Sequence, residues 1–589
     1  MIHAAEAPRS RNHSTPSRGP TRWLCIGARV ACLALLLSGP LDAAPRQPTA
    51  SDIAAIFRSF RADLITLAPD GRHLAYTLRE GQHLFLRIVD VDHPETKAII
   101  VVGGQADAGT SRRSGHMAAQ VTFLRWVTPA RLVYAMSAQN EVRVVDADGK
   151  NDRKLVDQND LEEYLAPSPY YTNPRPPATP QLIIPEAQFI PRPPRVLGLL
   201  ADDTDAIAVE AIGGQIIKSE VFKVSLSSGK PESLHREYGN TRPRSPFLHD
   251  RQAYPRILDY APEDSQMVTP VRAVQVASQM SGGEPLIPEP RAFHYQPAKE
   301  SGRWQSLDKF LGQETALSFR HSPAEFYGQR SFPLAFDADP NLLYFASNVG
   351  RDTYALYALD LRTRKRTDFA VEDPAFDVVD AGDALTESAL VFDRAHRLAG
   401  VRLPGLRPTT RWFDPELARI QGALDGLLTE RTVKILEWDD ARRRVLLLVT
   451  SATEPGRYYI YQDGQPGRLT EFLRRAPWLN ADRLNRAEPF AFTTPTGVAL
   501  TGTITLPRVS RLPSPPLLLL CRELPGQGAN FGFDRSAQVL ADMGFAVAQV
   551  NYRGTAGFGA RHRDAVKEGY DRIPIEDLRA AVGWIAAHH

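Results

Sequence analysis

Leu517-Leu-Leu-Leu-Cys521, the run from Ser536 to Met543, and Ala546-Val-Ala-Gln-Val-Asn-Tyr552 together decide the fold. The first is an unbroken apolar run, the pattern of a strand buried on both faces. Between the two strands, Ala537, Leu540 and Ala541 recur at helical spacing, and Gly544 stops the helix. The third segment is again apolar and β-prone. Strand, helix, strand in this order predicts a parallel pair with a helix on its face. Ile575 to Ala587 repeats the helical pattern, with Ile575, Leu578, Val582 and Ile585 as its apolar stripe. Upstream, Phe490 to Thr494, a Pro495-Thr-Gly497 turn and Val498 to Leu506 read as an antiparallel hairpin.

Before residue 488 the pattern is different. Five times, an apolar strand is followed by a second strand and then a polar turn. The pairs start at Leu74 and Leu84, at Arg131 and Val142, at Ala206 and Val221, at Leu342 and Ala355, and at Val445 and Tyr458. Their turns are rich in Asp, Ser and Gly, the chemistry of hairpins. Recurring hairpins over several hundred residues predict a β-propeller, whose blades flank one another and leave few open edges. A pair of β-sandwiches is the alternative. The uneven spacing leaves the blade count open. Residues 165–195 are dense in proline, which cannot donate to a sheet ladder, so they read as an extended insertion. From Glu237 to Gln329 the strand signals, such as those from Val271 to Val276, are weak. Asp414 to Leu428 reads as a helix, capped by Asp414, with Pro415 in its first turn and Leu417, Ile420, Leu424 and Leu427–Leu428 along one face.

The first 44 residues carry an export pattern. Arg18, Arg22 and Arg29 precede the apolar run Val30 to Leu37, and Leu41-Asp-Ala-Ala44 offers a cleavage site near Ala43-Ala44. The run is far short of the roughly 20 residues that span a bilayer. An uncut N-terminal anchor is the other reading. The expectation is therefore export to the periplasm or beyond, with no membrane association after the signal is removed. Lys plus Arg (70) against Asp plus Glu (68) gives a net charge of +2, too little to steer nucleic acid. Cys521 is the one cysteine downstream of the signal, so neither an internal disulfide nor a thiolate metal site is expected. No cofactor or metal is predicted.

Gln549-Val-Asn-Tyr-Arg-Gly-Thr-Ala-Gly-Phe-Gly559 resembles the N-(Y/F)-R-G-S-x-G-(Y/F)-G segment of prolyl-oligopeptidase-family serine peptidases. The flanking segments, 533–547 and 575–584, resemble the same family, as do Glu454 to Tyr461 and the Asp414 helix. The resemblance implies a mainly β chain, with a propeller followed by an α/β-hydrolase domain built on a mostly parallel sheet. It also implies hydrolysis of short peptides by a serine on a G-x-S-x-G elbow, with aspartate and histidine later in the chain. The expected division is a signal at 1–44, a propeller at 52–485 and an incomplete hydrolase domain at 488–589.

No G-x-S-x-G occurs in the 589 residues, so no catalytic residue can be assigned. The nucleophile strand is expected after the helix that ends at Ala587, which predicts a chain truncated before its serine and inactive as given. Family members place His-Gly-Gly-Pro, or a tyrosine variant, after the strand corresponding to Leu517–Cys521, as part of the oxyanion hole. Here the sequence is Cys521-Arg-Glu-Leu-Pro-Gly526. Loss of one oxyanion donor costs about 3 kcal/mol. Cys521 reads as an inert thiol. His562 and His588 read as surface histidines, and His588-His589 as a frayed helix end. Two functions remain: a serine peptidase with peptide substrates, or a non-catalytic propeller that holds a peptide ligand or another partner.

Overall fold

All five hairpins read from the sequence form, and each is the middle pair of a longer antiparallel sheet. The computed structural model describes residues 31–33, 48–81, 83–103, 120–137, 140–162, 194–200, 203–213, 218–236, 248–260, 291–296, 304–312, 319–321, 328–379, 389–464, 467–510, 512–521, 528 and 531–589. Residues 165–193 of the expected proline-rich insertion, the fragment from Val271 to Val276 and the loop at 522–526 lie outside these residues, while Arg195, the insertion's expected last residue, begins a strand.

Seven sheets precede residue 487 among the described residues, and they form a propeller. Blade 1 comprises Ile65–Leu67, His73–Glu80, His83–Asp90 and Lys97–Gly103. Blade 2 runs from Val121–Thr128 to Arg153–Asp157, and blade 3 from Arg195–Leu200 to Pro231–Arg236. Blade 4 begins at Leu248–His249, and the described strands of the weakly marked region, Pro255–Tyr260, Arg291–Tyr295, Gln305–Ser306 and Arg320–His321, join it in one sheet. Blade 5 runs from Ser331–Phe336 to Lys365–Val371, and blade 6 from Leu390–Phe392 to Thr409–Trp412. Blade 7 runs from Thr432–Trp438 to Arg468–Arg474.

Apolar clusters join neighbouring blades in turn, and one of them closes the ring. Leu67, Leu74, Tyr76 and Val89 of blade 1 pack with Leu446, Tyr458 and Ile460 of blade 7. Among the described residues, no strand is exchanged at this seam. Glu437 instead accepts hydrogen bonds from the Leu67 N–H (2.6 Å) and the Thr66 hydroxyl (2.9 Å). Arg444 reaches both oxygens of Asp92, at 2.7 and 2.8 Å. The expected helix forms as Pro415–Leu427, with Asp414 accepting from the Glu416 and Leu417 N–H groups. Leu417, Ile420 and Leu424 are buried between blades 6 and 7, but Leu427 is 63% exposed, contrary to the sequence reading. The helix ends there, and the next residue, Leu428, packs against the same cluster as expected.

The last sheet has the order Ala31–Leu33, Leu517–Cys521, Ala546–Asn551, Ala499–Thr505, Ala487–Thr493. Leu517–Leu519 pairs parallel with Ala546–Ala548, as the strand–helix–strand pattern predicts. The other described pairings are antiparallel, so the parallel character is present in part. Ala546–Asn551 is the central strand of this sheet. The crossover inserts it between Leu517–Cys521 and Ala499–Thr505. Helices cover both faces. Arg535–Asp542 packs Ala537 and Ala541 on Leu518, Leu520 and Val547, and Ile573–His588 packs Leu578, Ala581 and Ile585 on Leu519, Ala548 and Val550. Ile575 is 44% exposed, off the expected stripe, because the helix turns Asp577 inward instead. Ala31–Leu33 falls within the expected export signal and pairs with Leu519–Cys521. No described helix is long and apolar enough to cross a membrane.

Candidate functional site

In sheets of this kind ligands bind beyond the carboxyl ends of the parallel strands. Here those ends are Cys521 and Asn551. Asn551 is buried, and its amide donates to the Thr501 hydroxyl at 3.1 Å. Gly528 approaches the same place: a Cβ there would lie 2.8 Å from the Phe558 ring and 3.1 Å from Asn551 Oδ1. Only glycine fits so close to the strand end.

After Asn551 the chain turns through residues 552–559 and enters the short helix Ala560–Asp564. Three interactions fix this turn from inside. The Arg553 guanidinium grips Asp577 with contacts of 2.6 to 3.0 Å, and the Arg553 N–H donates to the same carboxylate at 2.8 Å. Asp577 is 1% exposed, and hydrogen bonding to it pushes the Arg553 pKa up. His562 places Nε2 3.0 Å from the Tyr552 carbonyl. A carbonyl only accepts, so Nε2 carries the proton. Third, the Gly554 N–H donates to the His562 carbonyl at 2.9 Å.

The outer side of the turn docks on blade 5. Asp377 accepts from the Gly559 N–H (3.3 Å) and from the Tyr354 N–H (2.7 Å), while its own N–H donates to the Gly557 carbonyl at 2.9 Å. Asp352 accepts from the Arg561 N–H at 2.7 Å and from its guanidinium at 3.1 Å. Asp564 accepts from the Gly328 N–H (3.0 Å), whose carbonyl receives the Arg563 guanidinium. Phe558 and Phe376 meet with ring centres 5.5 Å apart. A second seam runs beside it: the Phe531 N–H donates to the Leu406 carbonyl and the Gln538 amide to the Ala452 carbonyl.

The arrangement fixes the turn after Asn551 against both the last helix and blade 5. Cys521 is half-buried against the apolar cluster of Leu519, Phe490 and Phe492. His562 is not the surface histidine expected from sequence. Burial pushes its pKa below the ordinary 6.5, and its Nε2–H is engaged, so it staples the turn. His588 is exposed, but it is not frayed: it lies within the last helix, stacked on Trp584 at 4.3 Å. The blade 5 contacts carried no sequence signal, because Asp352 and Asp377 look like any turn aspartates.

Residues 531–589 match the Prolyl oligopeptidase family. Dipeptidyl aminopeptidase BIII of Pseudoxanthomonas mexicana is 29% identical over 265 residues, which are 43% of this chain and 36% of that protein. The chain thus matches little more than a third of that curated relative's length. Among solved structures, a Mycobacterium tuberculosis puromycin-hydrolyzing peptidase superposes with a TM-score of 0.52 at 14% identity, over 94% of this chain and 75% of its own. Pyrococcus horikoshii acylaminoacyl peptidase gives 0.51 at 10% identity, over 91% and 72%. These likenesses are of fold.

Proposed function

We propose, on the premise that this chain belongs through residues 531–589 to the prolyl oligopeptidase family, that it is the propeller and substrate-side scaffold of an exported serine-type peptidase acting on short peptides. The division that goes with this reading is an export signal at 1–44, a propeller at 52–485 and hydrolase residues at 488–589. One observation carries it. The turn after Asn551 is locked to the last helix by Arg553 and Asp577 and to blade 5 by Asp352 and Asp377. That double attachment fixes the carboxyl ends of the parallel strands against the propeller, where a peptide held by one part would meet a nucleophile held by the other.

The 589 residues contain no G-x-S-x-G elbow, so we assign them no nucleophile, and hydrolysis by these residues alone is not proposed. Purified as given, the chain should bind short peptides with free amino termini, the substrate class implied by the relative's name, without cleaving them. A fluorophosphonate probe should leave it unlabelled. Stoichiometric labelling would reveal a nucleophile this reading does not contain. Failure to bind any short peptide would favour the second reading, a propeller that has changed its ligand. The sequence Cys521-Arg-Glu-Leu-Pro-Gly526, without the family's glycines, speaks for that reading.

A further inference from the structure

The outermost strand of blade 1 differs from its counterparts. Lys97–Gly103 has the sequence KAIIVVG, with one charge, at its first residue. The outer strands of blades 2, 3, 5 and 7 are RKLVD, PESLHR, KRTDFAV and RLTEFLR, and that of blade 6 is TTRW. Charges and proline on an edge strand discourage pairing with another chain. Blade 1 lacks them where these five blades have them. Among the described strands, Lys97–Gly103 pairs only with His83–Asp90, in regular register from Lys97 to Val101 and with a bulge at Val102, so over Lys97–Val101 every second N–H and C=O faces away from that partner.

Its side chains divide by face. Val102, with Ala98 and Ile100, packs toward blade 2. Ile99 and Val101 point the other way and are 49% and 65% exposed, the latter the most exposed large apolar side chain among the described residues. A free edge beside an apolar, β-branched face is the combination that accepts an added strand.

We propose that this edge is a self-association surface, on which a second copy of the chain adds its own Lys97–Gly103 strand antiparallel. A two-fold axis through Ile100 sets Ile99 opposite Val101, with the bulge at Val102 of each strand lying beyond this pair. Residues of one face then meet residues of the same face, and no like charges oppose each other. The strand's own sequence is thus its best complement; a partner strand carrying charges at these positions would bury them beside Ile99 and Val101. A single strand pair covers far less than the roughly 800 Å² per partner of a stable interface, so the dimer is weak and concentration-dependent.

Sedimentation of the full chain over a wide concentration range tests this. The weight-average mass should climb from one chain toward two. Ile99→Lys and Val101→Lys, both at exposed positions, should hold it at one, whereas Thr470→Lys on the outer strand of blade 7 should change nothing. Circular dichroism checks that the variants fold. A mixture of Ile99→Cys and Val101→Cys chains should cross-link on oxidation more than either alone. A wild type that stays monomeric, even if it takes up an added extended peptide, overturns the proposal. So does association that survives both lysines, or cross-linking that is no greater in the mixture.

Discussion

Arg553 and Asp577, 24 positions apart, form a two-pronged ion pair whose shortest contact is 2.6 Å and whose carboxylate is almost wholly buried. The pair ties the turn after the central strand to the helix that covers the sheet. Removing one partner leaves the other charge buried. Asp577→Ala should therefore destabilise the chain by about 3–5 kcal/mol, read as a lowered urea midpoint. Arg553→Met combined with Asp577→Leu should recover much of that loss, because no uncompensated charge remains. If Asp577→Ala unfolds like the wild type, the turn is held by something else.

Gly559 tests the seam with blade 5. Its φ is +86°, and a Cβ there would lie 2.9 Å from the Asp352 carboxyl. Gly559→Ala combines left-handed strain with a clash and should cost about 1–3 kcal/mol. Adding Asp352→Ala removes the clash but keeps the strain, so the double variant should be more stable than the two separate losses predict. Simple additivity in thermal unfolding would mean that the side chains do not meet.

The sequence showed the central strands of the propeller better than the outer ones, for a physical reason. The hairpins found at Leu74, Arg131, Ala206, Leu342 and Val445 are packed on both faces by neighbouring blades, so they read as apolar runs. Inner strands such as Leu248–His249 are too short to carry a period, and outer strands such as Arg468–Arg474 are charged. The Pro415–Leu427 helix was legible because its cap is local. Helix rotation was not: Ile575 fits the apolar stripe as well as Asp577 does badly, yet the partner across the turn, Arg553, decides which faces inward. Strand order was hidden too, since a crossover can place Ala546–Asn551 at either side of Leu517–Cys521. The contact between Asp377 and Gly559 spans 182 positions and leaves no local trace.

His562 predicts a pH dependence. Burial depresses its folded-state pKa below the ordinary 6.5, so the unfolded chain binds the proton more readily. The stability tied to its neutral form is complete above about 6.5, the unfolded pKa, and falls as the pH drops toward the folded pKa. His396, also depressed by burial, adds a parallel loss. His562→Gln, which keeps a donor for the Tyr552 carbonyl, should shrink the acid slope without abolishing it. An unchanged slope in unfolding experiments below pH 6.5 would show that His562 protonates equally in both states.

Glu437 closes the ring and titrates in the opposite sense. It accepts from Leu67 and Thr66 across the seam between blades 7 and 1, and burial raises its pKa above 4.5 despite Arg125 and Arg394 nearby. A raised carboxyl pKa means the folded state holds the proton longer. Its contribution is therefore present below the unfolded value of 4.5 and is lost as the pH climbs through the folded value. Glu437→Gln keeps an oxygen for the two donors and removes the buried charge, so it should cost little near neutrality and flatten the slope above 4.5. Glu437→Ala leaves the Leu67 N–H and the Thr66 hydroxyl without that acceptor and should cost about 1–3 kcal/mol for each donor left dry. The gap between the two variants, measured by thermal unfolding at neutral pH, separates the hydrogen bonds at the seam from the charge that accompanies them. If glutamine is as damaging as alanine, the ionised carboxylate itself, drawn by Arg125 and Arg394, holds the ring shut.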